Sequence, residues 1–172
     1  TTGCVRKVAA GVELQAALNV SKPGEQLVLT AGERYVGNFV LPKKEGAGWI
    51  TIRSAAMDRL PAEGRRVQPS HTAAMPKLIS PNSAPALATA PGAAFYRVVG
   101  IEFALADDVA NNFDLIALGS GALTNLGHVP HDLIFDRVYV HGHPSAALKR
   151  GFALNSAATV IANSYIADCH VD

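Results

Sequence analysis

Apolar residues along this chain fall in short runs, with polar or small residues interleaved and Gly, Pro, Asn or Asp between runs. Only one segment has helical spacing. Over 11–20, Val12, Leu14, Ala17 and Leu18 predict a short amphipathic helix ended by the turn Ser21-Lys22-Pro23-Gly24. Strand-like runs follow at 26–29, 38–41, 49–54, 77–79, 86–89, 95–104, 113–118, 133–143, 151–155 and 159–170. Turn signals separate them at Ala31-Gly32, Pro42, Gly46/Gly48, Pro81-Asn82, Pro91-Gly92 and Gly119/Gly121.

The runs repeat. Ile101-Glu102-Phe103 aligns with Val138-Tyr139-Val140, and that with Tyr165-Ile166-Ala167, at spacings of 37 and 27. Ile116-Ala117-Leu118-Gly119-Ser120 aligns with Phe152-Ala153-Leu154-Asn155-Ser156 at a spacing of 36. Uneven spacing between aligned strands predicts stacked coils with loops of unequal length, the longest being 55–76 and 121–131. This is the pattern of a solenoid. A β-sandwich also uses many short strands but lacks self-similarity in one register.

The opening adds a family likeness. Pro23-Gly24, Leu27 to Leu29, Ala31-Gly32, Tyr35, Gly37-Asn38 and Phe39 to Leu41 follow the helix, and Asn155 and Asn163 stand where turn asparagines stack. This arrangement resembles the N-terminal cap and first coils of right-handed parallel β-helix proteins of the pectate-lyase-like superfamily. The resemblance implies an all-β, right-handed parallel β-helix with a short capping α-helix. Its coils fall at 26–54, 77–104, 113–143 and 151–172 of a single domain. It implies lyases, hydrolases or glycan-binding proteins alike, because fold does not fix function. The Arg-x-Pro-x-x-Arg pattern of many pectate lyases is absent, and the one Asp-Asp pair, Asp107-Asp108, falls in a loop. Full-length relatives carry more coils, so the expectation is an N-terminal portion of a β-helix that forms a homodimer or higher oligomer through its C-terminal coil.

Composition narrows the partners. Apolar residues make up 49%, charged residues 17% and aromatics 6%, with net charge +1. Without a basic stripe, nucleic acid is excluded as a partner class; without a long apolar run, so is a membrane span. The start at Thr1 rather than Met predicts a removed leader or a trimmed start, hence a secreted or periplasmic protein. Cys4 and Cys169, at opposite ends of the chain, are expected to stay unpaired, with Cys169 facing the core.

The candidate chemistry lies near the C-terminus. At the 27-residue spacing, His141 stacks on Asp168 and His143 on His170, all with one strand parity. Same-face residues lie about 6.5–7 Å apart along a strand and about 4.8 Å across strands, so these four would form a small rectangle. Three imidazoles and a carboxylate suit a divalent metal, zinc first and manganese next. His128 and His131 are further candidate ligands from the adjoining loop, and Asp132 or Asp136 would orient a ligand histidine. Asp168 or Asp172 would serve as general base. Lys149, with Arg150, would balance an anionic substrate. The leading expectation is therefore a metal-dependent hydrolase of ester or phosphoester bonds. The alternative is a carbohydrate-active β-helix, a lyase, hydrolase or glycan-binding module. Glu102 is expected to face solvent beside the patch, and His71 and Arg65-Arg66 to be solvated loop residues.

Overall fold

The computed structural model describes residues 3–10 and 13–171. One helix, α1 (Glu13–Val20), follows the first strand, β1 (Val5–Val8). It buries Leu14, Ala17 and Leu18 at the head of the core, as the spacing predicts; Gly11 and Val12 lie outside the described residues. No described helix is long and apolar enough to cross a membrane.

Three parallel sheets follow, visited in rotation. Sheet I stacks β1 on β2 (Gln26–Leu29), β5 (Ile50–Ser54), β8 (Ala94–Val99), β11 (His131–Asp136) and β14 (Ala157–Ala162). Sheet II stacks β3 (Arg34–Val36), β6 (Lys77–Ser80), β9 (Glu102–Leu105), β12 (Tyr139–His141) and β15 (Tyr165–Ala167). Sheet III stacks β4 (Phe39–Leu41), β7 (Leu87–Thr89), β10 (Asn111–Leu118) and β13 (Ala147–Leu154). Each circuit of three strands lies on the previous one, so every pairing is parallel. The fold is a parallel β-helix, as the repeats predict.

Three apolar runs read as single strands each turn a corner. The run 95–104 divides at Gly100, 133–143 at Arg137 and 159–170 at Asn163, with φ of 66°, 52° and 52°. A left-handed residue reverses the local strand path, and stacking places it at the same point of successive coils. Glycine and asparagine enter this region readily. Arg137 is held there because its N–H donates to Ala162 O and its guanidinium to Asp136 and to Pro61 O. A second left-handed ladder occupies the second residue of three sheet I strands: Phe95 (61°), Asp132 (50°) and Ala158 (46°). For a non-glycine residue this conformation costs roughly 1–2 kcal/mol. Strands β1 and β3 carry too few apolar positions to stand out in the sequence.

Inward side chains fill one core along the axis. Phe103 from sheet II, Phe135 from sheet I and Phe152 from sheet III form a chain of tilted and edge-on rings with centroids 6.5 and 5.2 Å apart. Such pairs add about 0.5–1.5 kcal/mol beyond burial. Tyr35 is fully buried under the first coil; its hydroxyl donates to Val8 O at 2.7 Å and accepts from Thr30 N–H at 2.9 Å. A smaller apolar cluster lies outside the solenoid. Leu60, Val67, Ala74 and Met75 of the 55–76 loop close over Tyr139, with Tyr165 at the margin. The loop contains two 3-10 turns, Met57–Arg59 and Pro69–Ala74. Both cysteines are free; Cys169 is exposed rather than core-facing, because it lies past the end of β15.

Gly119 shows how tight the coil stacking is. Its φ is 76°, and an added Cβ would sit 2.1 Å from Asn155 O on the next coil. Gly64 has a similar φ of 82° but open space around it. Gly64→Ala is expected to cost about 1–2 kcal/mol, the backbone penalty alone, and Gly119→Ala clearly more. Urea unfolding of the two variants measures the difference; equal losses would show that the coils yield freely at this corner.

Candidate functional site

The outer face of sheet II carries a row of paired charges. Arg34, Lys77, Glu102, Tyr139 and Tyr165 are in register across its five strands. Glu102, only 6% exposed, accepts from Lys77 Nζ and from His141 Nε2, the latter at 3.0 Å. The other ring nitrogen of His141, Nδ1, lies 2.7 Å from Gly142 O. Both partners of the ring are acceptors, so the doubly protonated imidazolium is the form that satisfies both contacts. Burial alone would raise the Glu102 pKa, but bonds from His141 and Lys77 outweigh it and hold the carboxyl below its usual range. Burial likewise opposes the His141 charge, yet the Glu102 bond and the Gly142 carbonyl raise its pKa overall. Tyr139 stacks on the imidazole with centroids 4.2 Å apart, and its hydroxyl pKa is raised by burial and then by Asp168 and Glu102. Glu102 therefore does not face solvent. A buried carboxylate between two cations replaces the predicted exposed side chain.

The register changes the reading of the histidine patch. Strands β12 and β15 pair at a spacing of 26, with Tyr139 opposite Tyr165 and His141 opposite Ala167. The sequence repeats had suggested 27. One residue of slip turns each side chain to the other face. His141 thus has Ala167 beside it, and Asp168 falls against Gly142, whose added Cβ would meet Asp168 O at 2.5 Å. Asp168 itself has a left-handed φ of 52° and acts on His141 through charge alone. His143 turns its Nε2 to Val109 O at 3.1 Å. His170 is half-buried beyond β15.

The remaining candidates are elsewhere. His128 is exposed in a 3-10 turn, Leu126–His128, between sheets III and I. His131 begins β11 on sheet I and is bonded to Asp132 at 2.7 Å. Asp136 holds Arg137 and Asn163, not a histidine. Asp172 lies outside the described residues. Among the described residues, no three His, Cys, Asp or Glu side chains gather in a way that could hold a metal.

Lys149, by contrast, stands in an open cleft of about 570 Å³ on sheet III, with Ser83, Asn111, Phe113 and Val171 among its walls. Phe113 is 55% exposed. Lys149 Nζ lies 4.3 Å and Arg150 Cζ 5.0 Å from its ring centroid, so the ring carries two cations. Arg150 is also held by Asp114, Nε at 2.6 Å and an Nη at 3.2 Å. Lys149 has no such carboxylate partner among the described residues. The cleft rim is braced from behind. Asn112, 3% exposed, donates to Asn82 O and Ala84 O, and Asn38 grips the same loop through Asn82, Ala84 and Pro85. The Oδ1 of Asn112 is buried without a protein donor. Phe113, Asn111 and Asn112 were not singled out in the sequence. The available signal was an aromatic at an outward strand position, one coil before a Lys-Arg pair.

Three parallel sheets, stacked coil on coil, define a class of protein, the parallel β-helix. No protein-family model matches the chain, and no curated protein sequence matches it. Among solved structures, an alginate lyase from Paenibacillus sp. str. FPU-7 is similar in fold, with a TM-score of 0.55 and 17% sequence identity. The match covers 94% of this chain and 57% of that one, so the chain spans little more than half of the lyase's length. At this identity the likeness is one of fold.

The Lys77–Glu102–His141 row sets a pH dependence of stability. The folded Glu102 pKa lies below its ordinary 4.5, so its contribution is complete above that pH and fades as pH falls through the folded value. The folded His141 pKa lies above its ordinary 6.5, so its contribution is complete below that pH and fades as pH rises through the folded value. The gap in melting temperature between the wild type and Glu102→Gln is therefore expected to be widest between pH 4.5 and 6.5. It closes in acid and narrows in alkali. A gap independent of pH would show that no charge is shared along this row.

Proposed function

We propose that this protein is a carbohydrate-active β-helix of the pectate-lyase-like kind, and that the sheet III cleft holds an acidic polysaccharide. One observation carries the reading: an exposed Phe113 ring with Lys149 and Arg150 against it. The flat ring offers a surface for the C–H face of a pyranose. The cations offer charge for a carboxylate that such a ring bears. Arg150 is half-committed to Asp114, which leaves Lys149 as the cation that meets the ligand. The cleft runs across stacked strands, so a chain of sugars extends along the solenoid axis. The fold likeness to an alginate lyase supports the same substrate class.

β-Elimination is the second reading, favoured by that same neighbour. The reaction needs a neutralised carboxylate, a base for the adjacent carbon acid and a proton for the departing oxygen. Lys149 is the one titratable group lining the cleft among the described residues. It serves as carboxylate partner while charged, or as base while neutral, and not as both at once. Glycan binding needs only the first role, which is why binding leads.

Calorimetric titration with a polyuronate oligosaccharide tests the proposal. Phe113→Ala and Lys149→Ala are each expected to weaken binding about tenfold, near 1.4 kcal/mol, and the Lys149 contribution to shrink as salt rises. Wild-type affinity in both variants would sink the cleft as the site. Absorbance at 235 nm on the same polymer separates the two readings: an increase lost in Lys149→Ala marks elimination, whereas binding without an increase marks a binding module.

A further inference from the structure

The sheet III cleft is long, yet it holds one free charge. Its walls run from Ser83, in the turn after β6, to Val171, beyond β15. Strands β6, β9, β12 and β15 are successive neighbours in sheet II, so the span is three steps of about 4.8 Å, or about 14 Å. More than one pyranose therefore lies in the cleft at once. Among the described residues, Lys149 is the only charged side chain that lines it. The rest of the wall is the Phe113 ring, uncharged polar groups such as Ser83 and Asn111, and the apolar Ala147 and Val171.

Arg150 does not add a second free charge. Register places Lys149 opposite Phe113 and Arg150 opposite Asp114 on the adjacent coil. Two bonds to one carboxylate, at 2.6 and 3.2 Å, make Asp114 and Arg150 neutral as a unit and fix the guanidinium in place. A sugar carboxylate gains Arg150 only by displacing Asp114.

The ground around the cleft is acidic. Asp107 and Asp108 are exposed in the turn that leads into Asn111, and Asp168 is exposed in the turn that leads to Val171. A uronate held at Lys149 thus has uncharged or negative surroundings on either side. A second carboxylate on the next sugar would leave water for a place without a cation, which is unfavourable, and would approach like charges. A neutral neighbour meets neither penalty.

We propose that the cleft selects an acidic polysaccharide of low charge density, in which each charged uronate is flanked by uncharged residues, and that the Asp114–Arg150 pair sets this preference. The inference rests on the reading of the cleft as a glycan site. Lys149 takes the one carboxylate, Phe113 the ring face, and Ser83 and Asn111 the hydroxyls of the neutral neighbours. Two sources share this chemistry: chains that alternate uronates with neutral sugars, and polyuronates partly masked as methyl esters.

The test compares two forms of one oligosaccharide by calorimetric titration into the full chain. One is hexagalacturonate with every carboxyl free; the other is the same hexamer methyl-esterified at alternate residues. The backbone is constant and only the charge changes. The esterified form is expected to bind the wild type about fivefold tighter. Asp114→Asn releases Arg150, and is expected to raise affinity for the free hexamer, narrow the gap between the two forms and steepen the salt dependence of binding to the free form. An Asp114 that only braced the strand would, on removal, weaken both forms alike and leave the salt dependence unchanged. Equal or tighter binding of the free hexamer to the wild type would overturn the proposal, and so would an unchanged gap in Asp114→Asn. The wild-type comparison needs no variant, so it decides even if Asp114→Asn unfolds. A hyaluronan hexasaccharide, in which glucuronate alternates with a neutral N-acetyl sugar, separates the sources. Binding as tight as that of the esterified hexamer marks alternating chains, and weaker binding marks esterified polyuronates. If Phe113→Ala and Lys149→Ala bind both hexamers as the wild type does, the cleft is not the glycan site. If both variants lose binding and the wild type shows no preference, only the selectivity fails.

Discussion

A chain that must visit three sheets in turn can stack on itself only if its corners recur at the same height. The left-handed residues Gly100, Arg137 and Asn163 supply that condition between sheets I and II. Each one sits over the last, so the strands on either side inherit a common register. The Arg137 corner shows how much surrounding structure this takes. Its backbone is held by the coil above, and its side chain by Asp136 and by the 55–76 loop. Parallel pairing then fixes which side chains are neighbours, and the aromatic chain from Phe103 through Phe135 to Phe152 packs because three sheets deliver one ring each at successive heights.

Much of this was legible in the sequence. Matching triplets such as Ile116-Ala117-Leu118 and Phe152-Ala153-Leu154 pair as the repeat requires. The capping helix, the long loops and the Asn163 turn also follow from local patterns. The register of the last coil did not. Alternation locates an inward face only when the outward face is polar. In β12 and β15 the outward residues Tyr139 and Tyr165 are apolar because the 55–76 loop covers them. Both faces of these strands are therefore apolar, and the sequence then allows Tyr165 to be placed over Val138 or over Tyr139. The choice decides whether Asp168 joins His141 or lies against Gly142.

The same loop explains why the charged row of sheet II is structural in character. Glu102 lies between Lys77 and His141 with little access to solvent, and the imidazole has spent both nitrogens. A buried carboxylate with two cationic donors is satisfied where it is, and removal of one partner would leave a charge unmatched. Such a cluster ties β6, β9 and β12 together across three coils. Its charges are spent on one another along the covered outer face of sheet II.

Sheets I and III have no such cover, and there the solenoid exposes what its geometry produces. Any outward position repeats from coil to coil at a fixed rise, so side chains at matching positions become neighbours without any special loop. Phe113 and Lys149 are such neighbours on one sheet, and Trp49 and Phe95 on another. The two differ in charge. The first sets cations against its ring, whereas on the second Arg97 is offset by Glu63. Long-range attraction for an acidic polymer can come only from an unbalanced face. A single stacked backbone thus carries two faces of the same periodicity that differ in their charge.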